Sequence, residues 1–293
     1  MKLSALPSLL RIHNTIFGAF TVATSVFLLQ PSNMITVFLS GITAYILLAS
    51  AGNVVNDIFD VKIDRINRPE RPIPSGDVTK KEAQGVYTIL VISGLGASLY
   101  SSFIRNTSLP FIVASLFVGI GVLYSAKLKL MGLIGNVTVG ISFSIGYIYG
   151  LIISTLEPSL VKLTYVVLFF VTATSLLISR EIIKGIEDIE GDKERGVKTL
   201  ARTRGIKKSA LISVFFAFLA IVSYTTLLFV GIMGKRLTPF VIAGDASAAI
   251  SAILILFGRD YAHKSSLFSK IAMFIGLVGF FLISLFQSGV LSI

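Results

Sequence analysis

The chain has 293 residues, of which 54% are hydrophobic and only 14% charged, with a mean hydropathy of +0.86; a soluble domain carries about a quarter of its residues charged. That excludes a soluble globular fold and disorder alike. The absence of cysteine excludes disulfides, thiolate metal sites and cysteine nucleophiles, and the net charge of +11, on so apolar a chain, points to loops at an anionic membrane surface rather than to nucleic acid.

Read from the N-terminus, apolar stretches long enough to cross a hydrocarbon core of about 30 Å fall at 12–30, 34–56, 83–104, 109–126, 131–153, 161–180, 209–233, 238–257 and 267–289. The first is too long for a cleavable signal and lacks a small-residue cleavage site before a polar mature chain. Nine spans place alternate loops on opposite sides. All but four of the 26 Lys and Arg residues then share the side of the N-terminus, the four being Arg105, Lys162, Lys235 and Arg236. The positive-inside rule makes that side cytoplasmic. A miscounted span would scatter the basic loops over both sides, so charge and hydropathy support one another. The expected fold class is an all-α integral membrane protein, a bundle of nine transmembrane helices with its N-terminus cytoplasmic, forming a single transmembrane domain over 1–293 in the cell membrane. Glu157 and Asp245 apart, the acidic residues keep to the basic side.

Two acidic motifs dominate that side. At the end of the second span stands Asn56-Asp57-Ile-Phe-Asp60-Val-Lys-Ile-Asp64. Residues four apart are offset by about 40° around a helix, so Asn56, Asp60 and Asp64 form a stripe over two turns. Like charges at that spacing repel, and at a membrane boundary either basic side chains or metal ions must fill the gaps; Lys62 points to another face. Helix phase leaves Asp57 facing either a pocket or the neighbouring helix. Beyond the sixth span, Glu187-Asp188-Ile-Glu190-Gly191-Asp192 repeats the spacing with Asp188 and Asp192. Oxygen donors of this kind suit hard cations, and Mg²⁺ takes one or two carboxylates before completing its shell with water and substrate phosphate. A diphosphate between two metal-loaded pairs is the expected occupant. The plain alternative is a wetted face on which acids balance neighbouring bases; two motifs on one side with one spacing favour the metal.

Basic residues accompany them. Pro69, Pro72 and Pro74 stiffen the loop after the second span and Gly76 permits a turn, so Arg68 and Arg71 stand on ordered backbone and can fork onto phosphate oxygens. Lipid headgroups would also suit them. Tyr124, Lys127 and Lys129 end the fourth span on the same side, where snorkelling lysines are common. Arg11 and Asn14 belong to the first span near the same interface. His13 and His263 have no metal-ligand spacing around them, and Gly146 with Gly150 forms a small-xxx-small pattern suited to helix packing.

Taken together, Asn56-x-x-x-Asp60-x-x-x-Asp64, Arg71-Pro-Ile-Pro-Ser-Gly76, Tyr124-Ser-x-x-Leu-Lys129 and Asp188-Ile-Glu-Gly-Asp192 followed by Lys198-Thr-Leu-Ala201 resemble the UbiA superfamily of intramembrane prenyltransferases over essentially the whole chain. Within it, Arg180-Glu-Ile-Ile-Lys184 leading into the second acidic motif looks most like the archaeal digeranylgeranylglyceryl phosphate synthases. Gly185 departs from related sequences, which often carry an aspartate there. The resemblance implies transfer of a geranylgeranyl group from geranylgeranyl diphosphate to geranylgeranylglyceryl phosphate, forming the second ether bond of archaeal membrane lipids and releasing diphosphate. It implies Mg²⁺ as cofactor, with Asn56, Asp60, Asp64, Asp188 and Asp192 as the catalytic and metal-binding set. Arg71, Tyr124, Lys127, Lys129 and Asn14 would bind the diphosphate, and Arg68, Lys184, Lys193 or Arg202 the acceptor phosphate. The partners implied are these lipid-like substrates and membrane lipid, with no nucleic acid and no obligate protein partner. An aromatic-acceptor prenyltransferase of quinone, haem or chlorophyll synthesis would share the donor site. A cation-coupled transporter would instead carry its ionisable residues near the bilayer midplane, and the Asp-Gly-x-x-Ala-Arg signature of CDP-alcohol phosphotransferases is absent from the sequence.

Overall fold

The computed structural model describes residues 2–194, 198–230 and 234–290, without the side chains of 192–194 and 234–236. The described residues contain no strand. The helices run α1 Leu6–Leu10, α2 Ile12–Leu29, α3 Met34–Asn67, α4 Lys80–Arg105, α5 Leu109–Ala126, α6 Leu133–Ser154, α7 Leu160–Glu187, α8 Ile189–Glu194, α9 Leu200–Arg204, α10 Ile206–Thr226, α11 Gly234–Leu256 and α12 Ala262–Gln287. Among the described residues nine helical segments are long and apolar enough to cross a membrane, matching the nine apolar stretches, and the protein is a multi-pass membrane protein. In hydrocarbon every backbone N–H and C=O must be satisfied within the segment, and a helix does so. Both α3 and α7 continue past their apolar stretches; α3 carries the whole first motif on helical backbone, whereas α7 ends at Glu187, the first residue of the second. The first membrane helix begins at Ile12, as the apolar stretch predicts, and Arg11 stands just before it in left-handed conformation (φ 50°, ψ 53°) between α1 and α2.

The chain forms two compact units. The first comprises Met1–Val26, Gln30–Leu128 and Tyr149–Leu156; the second comprises Phe27–Leu29, Lys129–Ile148 and Glu157–Ile293.

In the first unit α3 packs against α1, α4 and α5. Ala5 and Leu9 from the N-terminal segment, Ile73 and Val78 from the proline loop, Val54 from α3 and Ala83 and Leu90 from α4 share one buried apolar cluster. The proline loop is therefore clamped on both sides rather than tethered at its ends. At Gly150 an added Cβ would lie 2.7 Å from Ser25 Cβ and 2.8 Å from the Val22 carbonyl oxygen, so only glycine lets α6 approach α2 this closely, the packing role its spacing suggested.

In the second unit α7 packs against α10 and α12, and α11 against α10 and α12. Phe169 and Phe280 stack with ring centroids 4.0 Å apart, and Tyr147 and Tyr224 meet Phe280 edge-on. Since lipid tails are as apolar as leucine, close packing and interhelical hydrogen bonds take over the role of the hydrophobic effect. Hydroxyl contacts supply them: Ser101 to Ser40 at 3.0 Å and Tyr149 to Ser98 at 2.9 Å in the first unit. The second unit has Thr172 with Ser223 at 2.9 Å, Ser179 with Ser213 at 3.0 Å, and Ser251 with both Ser265 and Ser269 at 3.0 and 2.7 Å.

Candidate functional site

The first acidic motif occupies the last three turns of α3. Asp57 and Asp64, seven residues apart, fall within about 20° of the same helix face, and that face is turned inward, leaving Asp57 3% and Asp64 6% exposed. Each arrives paired. Arg11 Nη2 donates to Asp57 Oδ1 at 2.6 Å, and Arg71 Nη1 donates to Asp64 Oδ2 at 2.6 Å and to Asp57 Oδ1 at 3.2 Å. Desolvating a lone carboxylate costs several kcal/mol, so two buried aspartates on one face require these two guanidinium groups. The basic side chains beside Asp57 and Asp64 are Arg11 and Arg71, while Lys62 is exposed on another face.

Local chemistry places both arginines. The left-handed turn at Arg11 ends α1, and the Leu10 carbonyl beside it accepts from Asn53 Nδ2 of α3 at 3.0 Å. On the other side, the Arg68 N–H caps α3 by donating to the Asp64 carbonyl at 2.8 Å. Arg71 N–H donates to the Arg68 carbonyl at 3.0 Å, Ser75 N–H to the Arg71 carbonyl at 2.9 Å, and Val78 N–H to the Pro72 carbonyl at 2.9 Å. Gly76, at φ +84°, makes the turn that side-chain-bearing residues rarely adopt. A reciprocal cap between Thr79 and Glu82 then starts α4. Within this ordered loop Arg71 points inward and Arg68 outward.

The expected stripe of Asn56, Asp60 and Asp64 is therefore divided. Asn56 and Asp60, one turn apart, are half-buried, whereas Asp64 shares the buried face of Asp57, because the seven-residue interval returns closer to its starting angle than two intervals of four. Tyr124 is half-buried in the last turn of α5, Lys127 is exposed just beyond it, and Asn14 is exposed in the first turn of α2.

The second motif belongs to the other unit. Helix α7 ends at Glu187; the Asp188 N–H still donates to the Lys184 carbonyl at 2.9 Å, but its backbone turns to φ −89°, ψ 12° before α8 begins. Asp188 consequently sits at the break between the two helices and Asp192 in α8, and the single-helix spacing expected of them does not hold. Gly185 and Gly191, each about 1 kcal/mol poorer than alanine in a helix interior, weaken this stretch. Asp188 is exposed and Lys184 half-buried, while the side chains of Asp192 and Lys193 lie outside the described residues. Arg202 is exposed on α9, and Lys129 is half-buried in a single 3-10 turn over Leu128–Leu130. Two contacts that spacing did not reveal join α7 and α8 to the start of the last membrane segment: His263 Nδ1 lies 2.7 Å from Glu187 Oε1, and Arg259 Nη1 donates to Glu190 Oε1 at 3.1 Å. At Gly185 a Cβ would sit 3.7 Å from Thr199 Cβ, an ordinary contact, so packing does not demand glycine there.

The donor set suits a hard divalent cation. An amide oxygen and a carboxylate one helical turn apart, Asn56 and Asp60, are oxygen ligands of the kind Mg²⁺ takes. Among the described residues no three acidic or histidine side chains converge as a self-sufficient cage, and a site built on one or two carboxylates draws its other ligands from water and substrate phosphate.

Comparison with known proteins finds relatives along most of the chain. The chain is 34% identical to the digeranylgeranylglyceryl phosphate synthase of Metallosphaera sedula over 94% of both proteins, and 37% identical to that of Pyrococcus horikoshii, over 80% of this chain and 79% of the relative. A solved digeranylgeranylglyceryl phosphate synthase structure superposes with a TM-score of 0.77 at 29% identity, covering 96% of this chain and 98% of that one. A UbiA homolog from Archaeoglobus fulgidus bound to DMAPP and Mg²⁺ shares the fold at a TM-score of 0.66 and 15% identity, over 94% of this chain and 99% of that one. The model of the UbiA prenyltransferase family matches residues 15–283. From the two acidic motifs, their helical settings and these likenesses together, the chain belongs to the UbiA prenyltransferase family.

Proposed function

We propose that this protein transfers a geranylgeranyl group from geranylgeranyl diphosphate to geranylgeranylglyceryl phosphate, making the second ether bond of archaeal membrane lipids. The observation that carries the reading is the likeness along nearly the whole chain to digeranylgeranylglyceryl phosphate synthases, in sequence and in fold. The bond between the allylic carbon and the diphosphate oxygen breaks with its electron pair on the diphosphate. The acceptor hydroxyl oxygen bonds to that carbon and releases its proton to solvent. Mg²⁺, when bound, neutralises charge that builds on the leaving group.

Asn56, Asp60 and Asp64 in one motif and Asp188 and Asp192 in the other are the metal ligands. Arg71, Lys127 and Lys129 hold diphosphate oxygens through charge-assisted hydrogen bonds, with Tyr124 and Asn14 as neutral donors. Arg68, Lys184, Lys193 and Arg202 are the cations from which the acceptor phosphate draws its partners. The reading places this chemistry at the cytoplasmic face of the cell membrane, on the N-terminal side, where the basic loops gather, and treats 1–293 as one transferase domain. A geranylgeranyl chain is itself lipid, so it dissolves between helices while its diphosphate stays at the polar rim, and exclusion of bulk water shields the reacting carbon from hydrolysis.

The test is product analysis after incubating purified protein and Mg²⁺ with geranylgeranyl diphosphate and, separately, geranylgeranylglyceryl phosphate, 4-hydroxybenzoate and a dihydroxynaphthoate. A digeranylgeranyl ether formed with the glycerol phosphate alone is expected. A prenylated aromatic would move the enzyme to quinone-type synthesis, and absence of diphosphate release with every acceptor would overturn the transferase reading.

A further inference from the structure

The buried charges on α3 have a division of labour that the metal-ligand reading leaves unexplained. Asp57 Oδ1 accepts from both arginines, at 2.6 Å from Arg11 and 3.2 Å from Arg71, while Asp64 Oδ2, among the described residues, accepts from Arg71. One nitrogen of Arg71, Nη1, serves both carboxylates. Asp57 is the deeper of the two and has a partner of its own in Arg11; Asp64 lies three residues from the end of α3 and depends on Arg71. Two aspartates and two arginines sum to zero charge, so a divalent cation at Asp64 with Arg71 still on that carboxylate would set two positive groups against each other.

We infer that Asp57 is a positioning residue, the fixed anchor on which Arg71 pivots while Asp64 exchanges that arginine for a divalent cation. Arg71 keeps its bond to Asp57 and turns its freed N–H groups to the diphosphate that accompanies the metal. This rests on the proposal that Asp64 ligates the metal and Arg71 the diphosphate. The exchange makes the two ligands cooperative: metal alone must displace an arginine, whereas metal with diphosphate gives that arginine a new partner, and the coupling is reciprocal.

The experiment measures Mn²⁺ binding to the purified full chain in detergent, with and without inorganic diphosphate, so that no acceptor or turnover is needed. Wild-type protein should bind Mn²⁺ alone weakly and more tightly with diphosphate. Arg71→Gln should bind Mn²⁺ alone about tenfold more tightly than wild type, the scale of one charge-assisted hydrogen bond, and should lose most of the gain from diphosphate. Arg65→Gln removes the same charge from an exposed position beside Asp64 and should change Mn²⁺ affinity less than about twofold, since exposed charges are screened. Equal tightening in both variants, or none in Arg71→Gln, overturns the exchange even when the wild-type enzyme forms product normally. If Arg71→Gln fails to fold, Asp57→Asn tests the pivot from the other side. With its anchor neutral, Arg71 pairs with Asp64 alone, and Mn²⁺ alone should bind several-fold more weakly; unchanged affinity in that folded variant refutes the anchor.

Discussion

Replacing Arg11 by alanine and by glycine separates two contributions that the structure assigns to one residue. Both variants remove the guanidinium from Asp57, which is 3% exposed and keeps only the longer 3.2 Å contact to Arg71. Loss of one charge-assisted hydrogen bond to a buried carboxylate costs about 2 kcal/mol. The backbone separates the two variants. Arg11 sits at φ 50°, where a residue with a Cβ is strained by about 1–2 kcal/mol, against which glycine gives up about 0.5–1 kcal/mol of chain entropy. Arg11→Gly should therefore be the more stable by about 0.5–1 kcal/mol, the reverse of the order found inside a helix. At about 2–4 °C per kcal/mol for a large domain, Arg11→Ala should lower the apparent Tm by about 4–8 °C and Arg11→Gly by about 2 °C less. Thermal unfolding in one detergent at one scan rate measures this. An alanine variant equal to or more stable than the glycine variant would refute the left-handed turn, and no loss in either would refute the pairing with Asp57.

Asp60→Ala and Asp188→Ala should each lower turnover by about a hundredfold or more, the scale of removing one electrostatic element from a transition state, with unchanged size-exclusion profiles; near-normal activity in either would sink the metal-ligand assignment. Gly150→Ala should lower the apparent Tm by several degrees, since its Cβ would meet the Val22 carbonyl oxygen at 2.8 Å and overpacking costs about 1–3 kcal/mol, whereas Gly52→Ala, with nothing within 4 Å, should be neutral or stabilising by up to about 1 kcal/mol. The Lys2 ammonium, hydrogen-bonded to Asp77 at 2.6 Å, holds that carboxyl below its usual range. A carboxyl whose folded pKa is depressed contributes stability above its unfolded pKa of about 4 and loses it as pH falls through the folded value. Asp77→Asn should accordingly unfold slightly earlier than wild type at pH 7 and coincide with it near pH 2, as read by paired melting curves.

Hydropathy located the membrane segments well because lipid imposes length and polarity directly on local sequence. It stopped short at 56 and 180, where apolar character ends, although α3 and α7 continue to Asn67 and Glu187; helical hydrogen bonding does not depend on the polarity of the side chains. The motifs were legible as clusters of residue type and much less as geometry. Asp57 could face a pocket or a helix by phase alone, and its direction is set by Arg11, 46 residues earlier, and Arg71, 14 residues later. The seven-residue interval between Asp57 and Asp64 was the available signal, since it returns more nearly to one face than the four-residue interval does. The break at Asp188 was masked by regular spacing in a stretch whose two glycines already weakened the case for continuous helix.

The hydroxyl contacts between helices bear on how this chain finds its register while folding in lipid. Apolar ridges can slide past one another by a turn with little change in energy when the surrounding solvent is equally apolar, so leucines and valines carry almost no positional information there. A serine that meets a serine does carry it. Ser251, bonded to both Ser265 and Ser269, has both partners in one alignment of α11 with α12 only, and because those two serines stand one turn apart, a displacement of one turn, about 5.4 Å, would leave it at most one of them. Such contacts average only about 0.6 kcal/mol each, too little to bind helices but repeated at several levels of each unit. In this molecule the small polar side chains work as alignment marks, and the large apolar ones supply the bulk that the marks bring into place.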